Sequence, residues 1–153
     1  MMRIDPASLV EPRFMGIPYA LGKATFEEAD CIGVCLLWLA EKGLKYEYRD
    51  KFGPVLAHWW EHRPRRFLDA VLQYGTILKF SEIKKFDVLL LFGGEEVNQF
   101  PTMLGVMVDD RHFLTSTEER GSEVFMLNVH WKNKYFGAIR LHKAIEAGLI
   151  DGN

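Results

Sequence analysis

With 153 residues, 48% of them hydrophobic, 13% aromatic and 26% charged, the chain is long enough for one ordinary domain and too apolar for a disordered one. A formal net charge of -2 with both signs interspersed gives no electrostatic reason for nucleic acid or an anionic membrane as the main partner. Two cysteines are too few for a disulfide framework or a structural zinc site, so neither metal nor cofactor is expected.

In chain order, residues Met1 to Pro12 lack an apolar stretch flanked by positive charge, and no later segment runs through 18 apolar residues. The expectation is a chain made in the cytoplasm with no signal peptide and no membrane-spanning segment. The first strong element begins at Asp30, a good N-cap, and ends at Gly43, a good C-terminal cap. Ile32, Val34, Cys35, Leu36, Leu37, Trp38 and Leu39 make it apolar nearly all round, which predicts a buried central helix. Cys31 and Cys35, four apart on that helix, cannot bridge and are expected as free thiols.

Two shorter helical stretches follow, Val55 to His62 and Phe67 to Tyr74, with Pro64 between them and Gly75 ending the pair. Arg63, Arg65 and Arg66 form a basic cluster that reads as a solvated helix start. His58-Trp59-Trp60-Glu61-His62 spells H-x-x-E-H, the signature of inverted zinc peptidases. The segment stops at Pro64 without a third ligand, so zinc is not expected there. Trp59, Trp60 and Trp131 would serve either an interface or a core.

From Phe86 the pattern changes to short β-rich runs: Val88 to Phe92, Thr102 to Val108, His112 to Ser116, Glu123 to Leu127 and Tyr135 to Leu141. Gly93-Gly94, Asp109-Asp110 and Gly121 mark the turns. A last helical segment, His142 to Ala147, closes the chain. The fold class is α+β: one domain over 1–153, with the buried helix packed on an antiparallel sheet of about five strands.

Gly16-Ile17-Pro18-Tyr19, then Gly22, then Asp30-Cys31-Ile32-Gly33-Val34 resembles the nucleophile segment of the NlpC-type cysteine peptidases, which have a papain-like fold. Phe86 to Leu90 looks like that family's first core strand, Met103 to Val108 like its second, Arg111 to Ser116 like its third and Tyr135 to Arg140 like its closing strand. The resemblance spans roughly residues 14 to 141, and its wording is most similar to small proteins encoded among phage tail genes. It implies a nucleophile at Cys31, where the first helical turn would lower the thiol pKa. It implies Tyr19 beside that cysteine, shaping the substrate cleft.

The histidines of the resemblance are missing. Met103 stands where the general base is expected, and Thr115 where a second residue orients it. A thioether cannot accept the proton. His112 is the one rescue candidate, but strand alternation puts residues 112 and 115 on opposite faces, so it reads as a surface histidine, like His130 and His142.

Three functions follow from the resemblance, in order. The first is a structural tail-tip component (hub, plug or assembly protein) of a phage or phage-like particle, built on an inactive cysteine-peptidase fold. It would reside in the virion and touch hub, distal tail or fibre proteins. The second is an active murein endopeptidase used in phage entry, with Cys31 attacking. The third is a non-catalytic domain that binds wall peptides, with peptidoglycan as partner.

Overall fold

The computed structural model describes residues 5–46, 59–93 and 99–142. Helix α1, Cys31–Glu41, starts and stops where its caps predict. The Asp30 side chain accepts from the Gly33 N–H at 2.7 Å. At the other end the Gly43 and Leu44 N–H groups bond back to the Ala40 and Leu39 carbonyls, closing a Schellman motif around Gly43 in the left-handed conformation. A single turn, α2 (Trp59–His62), and the longer α3 (Arg66–Leu72) follow. The stretch 55–58 of the first predicted helix lies outside the described residues, as do Gly94 and the predicted terminal helix beyond His142.

Among the described residues six strands form one fully antiparallel sheet: β1 (Gly75–Leu78), β2 (Val88–Leu91), β3 (Met103–Met107), β4 (His112–Thr117), β5 (Gly121–Met126) and β6 (Tyr135–Leu141). Their order is β1-β6-β2-β3-β4-β5. A short helix, α4 (Val129–Lys132), sits between β5 and β6. Five strands match the predicted runs within two residues, and the α+β class with its antiparallel sheet stands.

The sixth strand, β1, corrects the sequence reading. Gly75 does not merely end a helix; it opens a strand in register with β6, opposite Leu141. A side chain there would collide with the Ile139 side chain and the Arg140 carbonyl. Glycine therefore permits the approach of two strands, and its role as a stop signal in sequence hid this.

Strand register divides the sheet into two faces, because directly paired residues share a side. Val88, Val106 and Leu114 lie in one row. Around a small cavity of about 40 Å³ on that side, Ile32, Leu36 and Leu39 of α1 meet Val88, Leu104 and Leu141. The other face carries Met107, Phe113 and Phe125 in a row. Trp131 of α4 covers it, with ring centroids 5.0 Å from both phenylalanines. Trp131 is thus core, 7% exposed, rather than an interface residue. Arg66, read as part of a solvated cluster, is also buried, at the start of α3, while Arg65 pairs with Asp69 one turn on.

A buried carboxylate ties the start of β2 to β6. Asp87 accepts two bonds from the Arg140 guanidinium, at 3.0 and 2.9 Å, and a third from the Lys84 N–H.

Candidate functional site

The site is assembled by a loop laid across the first turn of α1. Residues 18–24 are held there by backbone bonds from Ala29 N–H to Pro18, Ala20 N–H to Ala29 and Asp30 N–H to Lys23. Asp30 anchors both partners: one carboxylate oxygen takes the Gly33 N–H and the other the Gly22 N–H, each at 2.7 Å. Burial pushes its carboxyl above the usual range, and these N–H groups pull it partway back. Gly33 makes the contact possible, since a Cβ there would run into the Lys23 carbonyl and lie 2.9 Å from the Ala24 Cα.

The D-C-x-G spacing therefore builds the junction between loop and helix, independently of any chemistry at sulfur. Replacing Asp30 by alanine removes an N-cap and a loop anchor together. A loss of about 2 kcal/mol is expected, at the upper end for cap deletions, read as a lower urea midpoint with an unchanged slope.

Cys31 opens α1 with its thiol buried. Among the described residues, the hydrogen-bond partner of Sγ is the Leu104 N–H, at 3.4 Å. The helix start was expected to lower the thiol pKa; instead the pKa is pushed up to about 12. Burial is the largest cause, and the adjacent Asp30 charge adds to it. The Leu104 N–H opposes both and loses. Cys35, one turn on, is a free, fully buried thiol whose pKa burial also pushes well up, with Sγ donating weakly toward the Leu114 carbonyl at 3.6 Å.

The same Leu104 peptide group reaches the other predicted position. Thr115 Oγ1 donates to the Leu104 carbonyl at 2.6 Å, so its hydroxyl is satisfied within the sheet. Met103, one residue earlier, lines a cleft of about 510 Å³ together with Tyr19 and Cys31. Three of the predicted site residues thus meet at one cavity, and Thr115, fully buried, sits off it.

His112 lies elsewhere. Register pairs it with Met126 and pairs Thr115 with Glu123, which puts the two on opposite faces as alternation requires. Its expected surface location is wrong: it is 5% exposed, with Nδ1 at 3.0 Å from both Asp109 oxygens. Burial alone would raise the Asp109 carboxyl. The Arg111 and His112 N–H groups and the His112 ring outweigh it and hold that carboxyl below its usual range. This pair staples the β3–β4 turn. His130 and His142 are exposed, as expected. Among the described residues that line the cleft there is no histidine.

The zinc-like motif falls on α2. His58 lies outside the described residues, and among those described no group of three or more potential ligands is assembled. Nor is any described helix long and apolar enough to cross a membrane.

Ser116 escaped sequence reasoning. It lines the cleft, is 2% exposed, and its hydroxyl is buried without a hydrogen-bond partner among the described residues. Nothing in a T-S-T strand signals this, because satisfaction of a hydroxyl depends on neighbours from other strands.

No protein-family model matches the chain, and no curated protein does. Solved structures do. A protein of the NLP/P60 family, similar to a lipoprotein, from Staphylococcus aureus subsp. aureus Mu50 superposes with a TM-score of 0.58 at 15% identity, over 84% of this chain and 38% of its own. An NlpC/P60 family protein from Bacillus cereus ATCC 10987 gives 0.59 at 18%, over 84% and 36%. The NlpC/p60 domain of the peptidoglycan hydrolase SagA gives 0.53 at 18%, over 90% of this chain and all of that domain. The chain spans little more than a third of the first two proteins. At these identities the likeness establishes the fold: the chain has the papain-like architecture of NlpC/P60 proteins.

Proposed function

We propose that the chain is a non-hydrolytic papain-like domain serving as a structural component of the tail tip of a phage or phage-like particle, seated among hub, distal tail or fibre proteins. The observation that carries the non-hydrolytic part is the partner of Cys31: a peptide N–H where thiol catalysis needs an imidazole. Attack on an amide requires a thiolate and a proton carrier within about 3 Å of the leaving group. Burial keeps this thiol protonated, and the neighbouring cleft residue is the thioether of Met103. The tail-tip part rests on the wording of Gly16 to Val34, and it carries the virion location with it.

The endopeptidase reading would recruit His112 or a base from another chain. His112 is occupied by Asp109 and is not among the described residues that line the Cys31 cleft. The wall-peptide reading has one observation in its favour: the cleft persists, at a volume ordinary for ligand sites.

Purified murein incubated with the protein and with a Cys31→Ala variant is expected to release no soluble peptide from either beyond a buffer control. Release by the unmodified protein alone would establish an enzyme. In parallel, the protein is expected to sediment with assembled tails; its absence from particles that carry its gene would remove the tail-tip assignment.

A further inference from the structure

We propose that the Cys31 cleft is a socket that takes an extended, lysine- or arginine-bearing segment of a neighbouring protein and holds it uncut. This rests on the non-hydrolytic reading above and assigns the cleft a partner of definite chemistry.

Three features of the cavity point to a ligand. Its size, about 510 Å³, is that of an ordinary binding site rather than a packing defect. Its wall contains the Ser116 hydroxyl, almost wholly buried and, among the described residues, without a partner. A buried hydroxyl left unsatisfied carries a desolvation cost that a bound polar group, such as a peptide N–H or C=O, would remove. Tyr19 and Phe125 also line the cavity. Such flat, rigid side chains lose little entropy on binding and dominate protein contacts.

Charge selects the ligand. Glu118 and Glu119 line the cleft from the β4–β5 turn, both exposed, and among the described residues neither is in an ion pair. The two cations that line it are engaged within the chain. Arg120 lies 3.0 Å from Glu123, and the Lys134 ammonium sits over the Trp131 ring, 5.6 Å from its centroid. Among the described residues, and counting the partner of Arg120, three carboxylates stand against two cations, and neither Glu118 nor Glu119 has a cation against it. A cationic side chain entering beside the turn would find them. A ligand ending in carboxylates would meet like charge.

The test uses NMR titration of the isotope-labelled protein with two blocked peptides, Ala-Lys-Ala-Lys-Ala and Ala-Glu-Ala-Glu-Ala. The lysine peptide is expected to shift the amide signals of Tyr19, Ser116 to Arg120 and Trp131 saturably, and the glutamate peptide is not. Glu118→Gln with Glu119→Gln is expected to weaken binding by about fivefold, the range for two exposed charge pairs. Raising the salt should weaken the unmodified protein toward the same value. Ser116→Ala is expected to weaken binding while leaving thermal stability equal or higher, because it removes an unsatisfied hydroxyl from the free protein.

Equal binding of both peptides, preference for the glutamate peptide, binding of murein fragments instead, or shifts elsewhere on the surface would each overturn the proposal. So would no binding at all. Mass spectrometry of the same samples separates the two readings. Cys31-dependent cleavage of a peptide sinks the non-hydrolytic domain itself, whereas failure to bind with every peptide intact sinks only the socket.

Discussion

Replacing Gly33 by alanine is expected to destabilise the fold by about 3 kcal/mol or more, the upper range for a forced overlap in a packed interior. Position 33 lies in the first turn of α1, where alanine would normally be favoured over glycine by about 1 kcal/mol. Intrinsic propensity and steric fit thus predict opposite signs, and the structure says which wins. The added methyl would overlap the Lys23 carbonyl and press on the Ala24 Cα, both of them backbone that cannot rotate away. Relief requires lifting the 18–24 loop, which also breaks the Asp30 bond to Gly22 and the Asp30 N–H bond to Lys23. Urea unfolding checks it. The control is Gly137→Ala in β6, where a Cβ would meet nothing within 4 Å and the midpoint should move little. An unchanged or raised midpoint for Gly33→Ala would mean that the loop does not rest on the helix.

What could be read from the sequence was what depends on local pattern. Asp30 and Gly43 bound α1 because caps act within one turn, and the apolar runs at 88, 103, 112 and 135 became strands because alternation and turns are local too. Reading failed where the deciding partner was remote. Gly75 reads as a terminator in sequence since its strand mate, Leu141, is far along the chain. For His112 the remote partner is the sheet that encloses it, since Asp109 stands only three residues away.

The D-C-x-G motif was the most legible part of the site and the most ambiguous in meaning. Its residues can be selected for reactivity or for the junction of loop and helix, and only distances tell them apart. Here Asp30 and Gly33 are fully used in holding that junction. A chain could keep these residues after losing catalysis, since losing them would cost the fold. That is a physical reason for the motif to be kept whether or not the sulfur reacts.

The state of the sulfur gives the second large effect. Iodoacetamide at pH 7.5 is expected to alkylate Cys31 about a thousandfold more slowly than the same thiol in the urea-unfolded chain. The reactive species is the thiolate, and moving the pKa from its ordinary value of 9.0 to about 12 lowers its fraction by three decades. The native rate should climb tenfold per pH unit until the fold itself gives way. Linkage fixes the sign for stability. A thiol whose folded pKa lies above its unfolded one loses its proton first in the unfolded chain, so stability is flat below about pH 9 and falls from there toward 12. The distance from 9.0 to about 12 corresponds to about 4 kcal/mol of alkaline loss. Cys31→Ala should remove that share and leave the share of Cys35, which burial also raises. Denaturation midpoints at pH 8 and pH 10.5 for both proteins isolate the difference. Rapid, pH-insensitive labelling of Cys31 at neutrality would instead reveal a poised thiolate, and with it a proton acceptor close to the sulfur.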